Sequence, residues 1–241
     1  MNSSTITREQ LCRMFDHTNL KPYADATMFR QLCQEAADHH FAMVAVNSAP
    51  VSLCRNYLLN TDVHVGAAVS FPLGQTSIPV KAFETEDAIR NGADEIDYVI
   101  NISEMKNGHY AYIRQEMEAI VQICRQQGVL VKVIFENCYL TAEEIRIAAE
   151  IAREIKPDYI KTSTGFGSGG ADGKDILLMR ECAGPEVKVK AAGGIRSWND
   201  CKVMIDAGAE RIGTSSSLKI LDEFDLERGL PPSSQQPNRD K

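Results

Sequence analysis

The feature that most constrains the fold is a regular alternation of short apolar runs with longer amphipathic stretches along the chain. The short runs have the length of buried strands, and the longer stretches repeat Leu, Ile, Met, Ala or Cys every three or four residues. The predicted strands are Met14–Asn19, Met43–Asn47, Val63–Pro72, Glu95–Asn101, Leu130–Asn137, Asp158–Thr164, Val187–Gly194 and Arg211–Ser216. The clearest predicted helices between them are Ala26–His39, Tyr110–Gln127, Ala142–Ile155 and Trp198–Ala207.

Two local patterns support these helix boundaries. Thr141 and Glu144 have the spacing of a capping box, which opens a helix. Gly208 follows Ala207, where a glycine suits the end of a helix.

Strands that alternate with helices predict parallel pairing and right-handed crossovers. Eight such units make a closed (β/α)8 TIM barrel, with a doubly wound open sheet as the alternative. The glycine-rich turns after the last two predicted strands favour the barrel, because barrels commonly bind phosphate there. We predict a single barrel domain over residues 1–227 and a disordered tail over residues 228–241.

Composition narrows the class of partner. The chain has 241 residues, of which 44% are hydrophobic, so it can bury a large core. A formal charge of -7 argues against nucleic acid or an anionic membrane as the partner. The seven scattered cysteines show no pairing or zinc-binding pattern, so we predict reduced packing residues. A polar start and the lack of a long apolar run predict a cytoplasmic protein without signal peptide or membrane span.

The alternation of strand residues predicts a charged barrel interior, because successive side chains point to opposite faces. With the valines and isoleucines turned outward, the predicted inward side chains are Glu95, Asp97, Asn101, Lys132, Glu136, Lys161, Lys188 and Lys190. An ion-pair network that only stabilises the barrel is an equally good interpretation for Glu95, Lys132 and Lys188.

Lys161 and Lys190 lie on neighbouring predicted strands. A lone inward lysine ordinarily reaches solvent or pairs with a carboxylate. Two like charges roughly 6 Å apart, at an effective dielectric near 20, repel by about 2.8 kcal/mol. Since that energy corresponds to about two pKa units, we expect a lowered pKa for Lys161. A neutral lysine amine attacks carbonyl carbon and forms a Schiff base.

Two glycine-rich loops predict a phosphate site. They follow the seventh and eighth strands and contain Gly193, Gly194, Gly213, Ser215 and Ser216. Exposed backbone amides and serine hydroxyls together form a site for an anion. Either loop alone is an ordinary turn; together they occupy the usual phosphate position of a barrel.

The chain resembles the deoxyribose-phosphate aldolases, a family of class I aldolases. The similarity is carried by Asp16–Pro22, Phe71–Gly74 with Lys81 and Glu84, Gly92–Asp97, Lys132–Glu136, Lys161–Phe166, Lys190–Arg196 and Gly213–Ser216. These motifs extend from about residue 16 to about residue 221, in the family's order.

The resemblance implies a role for each site residue. Lys161 would form the Schiff base, Lys190 would tune it, and Asp97 would take part in proton transfer. Asp16, Thr18 and Leu20 would line the sugar end of the pocket. The residues implied to hold the phosphate are Gly165, Gly193, Gly194, Gly213, Ser215 and Ser216. The implied reaction is the reversible cleavage of 2-deoxy-D-ribose 5-phosphate to acetaldehyde and D-glyceraldehyde 3-phosphate, without a metal or other cofactor.

The chain departs from the family pattern at several positions. Ala45 replaces a cysteine of many relatives, and Asn137-Cys138 replaces the usual threonine after Glu136. Phe166 stands where some members have a lysine near the phosphate. The tail also lacks the terminal tyrosine that some members fold over the site. We expect these differences to affect substrate preference and efficiency rather than reaction class.

Two other functions stay open at this stage. One is a Schiff-base aldolase for a different phosphorylated sugar, which would use the same residues. The other is a non-catalytic sugar-phosphate-binding barrel, which has no need of Lys161, Lys190 and Asp97 together. The expected partners are a phosphorylated sugar and aldehydes, with a homodimer or higher homo-oligomer compatible with the sequence.

Overall fold

The strands follow one another in chain order around a closed barrel, and each pairs in parallel with its neighbours. The computed structural model describes residues 2–231. Its strands are β1 (Phe15–Thr18), β2 (Met43–Asn47), β3 (His64–Val69), β4 (Glu95–Val99), β5 (Leu130–Ile134), β6 (Tyr159–Lys161), β7 (Lys188–Ala192) and β8 (Arg211–Thr214). Pairing of β1 with β8 closes the barrel. The predicted (β/α)8 fold is confirmed, and the open sheet is excluded.

Helices surround the barrel. Within the same residues they are α1 (Arg8–Cys12), α2 (Ala26–Asp38), α3 (Val51–Tyr57), α4 (Ile78–Arg90), α5 (Ile102–Lys106), α6 (Tyr110–Gln127), α7 (Ala142–Ile155), α8 (Gly173–Ala183), α9 (Trp198–Asp206) and α10 (Ser217–Glu227). A 3-10 turn covers Asn137–Tyr139. The bounds predicted for α6 and α7 are confirmed, and α2 and α9 each end one residue earlier than predicted.

The predicted helix-end signals are confirmed. The Thr141 hydroxyl accepts from the backbone amide of Glu144 at 3.2 Å, and the Glu144 carboxylate accepts from the amide of Thr141 at 2.7 Å. Gly208 follows α9 with φ of 103°, a conformation that favours glycine.

Several strands are shorter than predicted, because polar side chains bond to the backbone where the strands end. Asn101 lies beyond β4 and caps α5 by accepting from the amide of Glu104 at 3.2 Å, so its predicted inward position is wrong. Glu136 lies beyond β5 in the left-handed region, with φ of 57°. The chain therefore turns at both residues, and strand alternation no longer determines where their side chains point.

The main apolar core lies between the barrel and its helices. The outward strand residues Ile96, Tyr98, Val131, Val133 and Ile160 are all buried in it. Inside the barrel, space is taken by Met43 next to Gly66. A Cβ atom at Gly66 would lie only 2.1 Å from the Met43 sulfur. Polar and charged side chains occupy much of the remaining interior, so the hydrophobic energy of the fold comes mainly from the outer layer.

The two ends of the described chain contact each other. Arg228 donates to the carbonyls of Ser3 and Ser4, each at 2.9 Å, so this residue of the predicted tail is held on the barrel. Residues 232–241 lie outside the described residues, and their predicted disorder stays a prediction.

All seven cysteines are free, and all except Cys138 are buried. Nowhere in residues 2–231 is there a helix with the length and apolarity needed to cross a bilayer.

Candidate active site

A cluster of buried charges fills the barrel interior, from the first residues of β4 and β8 to the last residue of β6. Its members are Asp16 on β1, Glu95 and Asp97 on β4, Lys132 on β5, Lys161 on β6, Lys190 on β7 and Arg211 on β8. All seven side chains are buried. Four positive groups face three carboxylates, so the cluster has an excess of positive charge.

Lys161 and Lys190 are register partners on adjacent strands, as predicted. A single oxygen of Asp97 lies between them. It is 2.8 Å from the Lys161 amine and 2.6 Å from the Lys190 amine. This carboxylate offsets much of the repulsion between the two lysines, and the estimate of about 2.8 kcal/mol does not include this offset. The two lysines therefore share a counter-ion as well as repelling each other.

The pKa of the Lys161 amine is lowered to about 8. Burial is the largest cause, because it removes water from the charged form. Asp97 acts in the opposite direction, and the charge of Lys190 lowers the pKa further. The expected direction of the shift is thus found, but burial contributes more than the neighbouring lysine. Roughly a tenth of an amine with this pKa is neutral at pH 7.

Asp97 is held in its charged form. Burial would raise the pKa of its carboxyl, but the charges of Lys132, Lys161 and Lys190 outweigh burial and hold it well below its usual range. Lys132 donates to the second oxygen of Asp97 at 2.8 Å. This contact orients the carboxylate, so that its other oxygen faces the two lysines.

Asp16 lies in the same buried cluster. Although burial opposes ionisation, Arg211, Lys190 and Lys132 lower the pKa of the Asp16 carboxyl. Asp16 contacts Arg211 and Lys190 closely, and its carboxylate is completely buried. Asp16 is thus paired within the buried cluster, and its expected contact with the sugar stays a prediction.

Sequence reasoning missed Arg211. This guanidinium donates to Glu95 at 2.9 Å and also contacts Asp16. Strand alternation could have found it, because Arg211 shares the inward face of β8 with Gly213. Glu95 extends the cluster to His64 on β3, 2.8 Å away. Lys188 is exposed at the start of β7, and its amine lies 5.6 Å from the centroid of the Tyr159 ring. Lys188 shares the inward face of β7 with Lys190, in line with strand alternation, but it is exposed at the start of the strand and is not part of the buried cluster.

A cavity of about 220 Å³ opens at the carboxyl ends of the strands, with Lys161 in its wall. The predicted site residues in this wall are Thr18, Leu20, Lys161, Gly165, Gly193, Gly194, Gly213 and Ser215. Asp97 and Lys190 are buried beside Lys161 instead. Ser216 follows Ser215 at the start of α10. The structure thus brings the predicted lysine site and the glycine-rich loops into one cavity.

The glycine-rich end of the cavity is formed by loops that pack closely on one another. Gly193 has φ of 88°, and a Cβ atom there would lie 3.1 Å from the Cα of Gly170. The amide of Ala171 donates to the Gly193 carbonyl at 3.0 Å, which joins the loops after β6 and β7. Gly194 has φ of 77°, with open space where a Cβ atom would stand.

Two cationic residues in the cavity wall were not proposed from the sequence as binding residues. They are Lys21, after β1, and Arg196, after β7. Both are exposed. Although Phe166 stands where some family members carry a lysine, Lys21 and Arg196 still supply positive charge in the cavity wall.

Phe166 forms another part of the cavity wall. Its ring is 54% exposed and meets the ring of Phe71 edge to face, with centroids 5.4 Å apart. The Phe166 amide donates to the Thr164 hydroxyl at 3.0 Å. Thr164 in turn donates to Glu136 through its amide, at 3.1 Å, and through its hydroxyl. The buried Glu136 carboxylate therefore holds the loop that carries Phe166.

Among residues 2–231, no group of three or more His, Cys, Asp or Glu side chains is arranged to hold a metal ion. The polar groups in the cavity wall are the amines of Lys161 and Lys21, the guanidinium of Arg196, hydroxyls and backbone amides. These groups suit covalent capture of a carbonyl and hydrogen bonding to an anion.

The fold and the cavity define a (β/α)8 barrel with a lysine of lowered pKa at its binding site. The model of the DeoC/LacD family aldolases matches residues 11–222. The chain belongs to this DeoC/LacD family of aldolases, and aldolases are lyases.

Curated relatives cover almost the whole chain. The deoxyribose-phosphate aldolase of Lactobacillus acidophilus is 54% identical over 214 residues, which cover 89% of this chain and 90% of the relative. That of Bacteroides thetaiotaomicron is 48% identical over 228 residues, covering 94% and 96% of the two chains. The solved structure of deoxyribose phosphate aldolase from Aeropyrum pernix, described as tetrameric, has a TM-score of 0.85 and 31% identity. The match covers 91% of this chain and 92% of that one.

Proposed function

We propose that this enzyme cleaves 2-deoxy-D-ribose 5-phosphate reversibly to acetaldehyde and D-glyceraldehyde 3-phosphate, through a Schiff base on Lys161. The observation that carries the proposal is the Lys161 amine in the cavity wall, with its pKa lowered to about 8. The names of the curated relatives support the substrate. The glycine-rich end of the same cavity supports a phosphorylated substrate, because backbone amides there can bind an anion.

The amine begins the reaction. Neutral Lys161 attacks the aldehyde carbon C1 of the open-chain sugar, and loss of water gives a protonated imine. The C3 hydroxyl then gives up its proton, the C2–C3 bond breaks, and its electron pair moves through C2 towards the imine nitrogen. Glyceraldehyde 3-phosphate leaves, and an enamine remains on Lys161. Protonation at C2 and addition of water release acetaldehyde and restore the amine.

Asp97 and Lys190 support the amine. Lys161 must lose a proton before it attacks, and the Asp97 oxygen at 2.8 Å is the adjoining acceptor. Since the pKa of Asp97 is held well below its usual range, the carboxyl passes a proton on rather than storing it. Lys190, on the same oxygen at 2.6 Å, lowers the pKa of Lys161 by its charge.

The remaining cavity residues bind the substrate. Thr18 and Leu20 face the sugar. Asp16 fixes the buried cluster, and its contact with the sugar is also part of this proposal. The phosphate is held by the loops that contain Gly165, Gly193, Gly194, Gly213, Ser215 and Ser216. We add Lys21 and Arg196 to this set, because both cations are in the cavity wall.

Assembly and location are separate parts of the proposal. The Aeropyrum pernix structure is described as tetrameric, and this supports a homo-oligomer for the present chain. Light scattering on the purified protein would test the assembly, with a monomeric mass as the contrary result. The cytoplasmic location stays a prediction, to be tested by cell fractionation.

The function is tested by incubating the enzyme with 2-deoxyribose 5-phosphate and measuring both products. We expect equal amounts of acetaldehyde and glyceraldehyde 3-phosphate. The value of kcat/KM for the unphosphorylated sugar should be lower by on the order of 10²-fold, because hydrogen bonds to the charged phosphate are lost. Cleavage of another phosphorylated sugar in preference would establish the alternative aldolase. Binding without any cleavage would establish the non-catalytic barrel.

A further inference from the structure

His17 lies between the two functional side chains of β1 but points to the opposite face of the strand. Asp16 enters the buried cluster and Thr18 lines the cavity, whereas His17 faces the surrounding helices. The imidazole is 4% exposed and packs edge to face on Phe41, with ring centroids 5.3 Å apart. The proposed chemistry gives His17 no part, although it belongs to the motif that identifies the family.

Both ring nitrogens of His17 have partners. One nitrogen, Nε2, lies 2.7 Å from the carboxylate of Glu35 on α2. The other, Nδ1, lies 3.0 Å from the hydroxyl of Ser217, which is fully buried. Because an ionised carboxylate only accepts, Nε2 donates to Glu35. The Ser217 hydroxyl pairs with Nδ1 and also lies 3.5 Å from the Thr214 carbonyl. The imidazole thereby joins α2 to the first residue of α10.

The position of Ser217 matters because the turn before it is short. β8 ends at Thr214 and α10 begins at Ser217, so Ser215 and Ser216 alone connect them. Thr214 fixes one side of this turn, where its hydroxyl accepts from the Ser216 amide at 2.9 Å and donates to the Ile195 carbonyl at 2.7 Å. The contact of His17 with Ser217 fixes the other side.

We propose that His17 is a positioning residue for the phosphate end of the cavity and acts through Ser217. This inference rests on the proposed function, in which Ser215 and Ser216 bind the phosphate. His17 and Thr214 are register partners on the adjacent strands β1 and β8. The imidazole therefore lies beside the end of β8, close to the start of α10. Loss of this contact would let the start of α10 shift while Lys161, on β6, keeps its surroundings.

The test compares the phosphorylated and unphosphorylated sugar as substrates of the full-length enzyme. His17→Leu and Ser217→Ala should each lower kcat/KM for 2-deoxyribose 5-phosphate by about tenfold or more, since small displacements of binding groups have large effects. The loss should appear mainly in KM. The value for 2-deoxyribose should stay within about twofold of wild type. His17→Gln should recover much of the loss, because an amide can both donate and accept.

Phe41→Leu is the matched control, because it changes the packing around His17 and leaves both hydrogen-bonding partners in place. It should not alter the ratio of the two kcat/KM values. Equal losses on both substrates in His17→Leu and Ser217→Ala, or no loss on either, would overturn the inference. Ser217→Ala also serves if His17→Leu fails to fold.

The affinity for inorganic phosphate, measured by calorimetry, separates this inference from the proposed function. Wild type should bind phosphate about tenfold more tightly than Ser217→Ala. If wild type does not prefer the phosphorylated sugar, the proposed substrate is wrong, and the phosphate affinities alone decide the role of His17. Equal phosphate affinities in wild type and Ser217→Ala would then refute that role.

Discussion

One oxygen of Asp97 lies 2.8 Å from the amine of Lys161, and this contact links the buried cluster to the cavity. The same oxygen lies 2.6 Å from Lys190, while Lys132 holds the other oxygen at 2.8 Å. A carboxylate in this position stabilises the charged form of Lys161 and is also the adjoining group that can accept its proton. The reactivity of Lys161 therefore depends on a balance between burial and this single acceptor.

Asp97→Asn should lower kcat by ~10²-fold or more, because an amide of the same size offers neither the charge nor the basicity of the carboxylate. Steady-state kinetics on 2-deoxyribose 5-phosphate measure the effect. Asp94→Asn is the matched control: Asp94 lies just before β4, pairs with Arg55 outside the buried cluster and should be dispensable for kcat. Near-normal turnover in Asp97→Asn would leave Asp97 with a structural role alone.

Lys190→Leu should shift the pH dependence of kcat/KM to higher pH. In wild type the rate should rise with pH towards about 8, because the neutral amine of Lys161 is the nucleophile. Removing the Lys190 charge raises the pKa of Lys161, and we expect the rising limb to move up by roughly one to two pH units. Lys188→Leu, on the same strand but exposed, should keep the wild-type profile. A profile for Lys190→Leu that coincides with wild type would contradict the tuning role.

The fold and the lysine pair were predictable from the sequence, because both follow from strand alternation. Lys161 and Lys190 lie in regular strands, where residues two apart point to the same face. Their inward positions follow from this alternation. Asn101 and Glu136 were not predictable in this way, since each lies just past a strand end. There the local hydrogen bonds of the loop, to Glu104 and Thr164, decide where the side chain points.

The counter-ions of the lysines were harder to predict. Strand alternation predicts that Asp97 faces inward, but its place between Lys161 and Lys190 depends on the stagger of four strands around the closed barrel. Arg211 was overlooked, although its alternation with Gly213 places it inside. The contact of His17 with Ser217 joins residues 200 positions apart and has no local signal in the sequence.

Gly194→Asp should lower kcat/KM for the phosphorylated sugar by on the order of 10²-fold, because a carboxylate would repel the phosphate. Gly194→Asn is the control. It has the same size without the charge, and asparagine tolerates the left-handed backbone at this position. We expect the asparagine variant to retain most of the activity. Similar kinetics for the two variants would show that this loop does not approach the phosphate.

Glu136→Gln should change how stability depends on pH. Burial raises the pKa of the Glu136 carboxyl, partly offset by its hydrogen bonds from Thr164. A raised carboxyl pKa destabilises the folded protein as pH rises above the unfolded value of about 4.3. Wild type should therefore lose stability through this group between about pH 4 and pH 7, whereas the variant should not. The free energy of unfolding of the variant minus that of wild type should increase over this range. Urea unfolding at several pH values measures this difference, and a constant or falling difference would be the contrary result.

The most direct test of the account is chemical trapping of the Schiff base. Treatment with acetaldehyde and borohydride should add one reduced two-carbon group to the enzyme, and peptide mapping should place it on Lys161. Lys161→Arg should fold, show no adduct and have no activity, because a guanidinium stays charged and forms no imine. An adduct on Lys190 or Lys132, or full activity in Lys161→Arg, would contradict the assignment of Lys161 as the reactive amine.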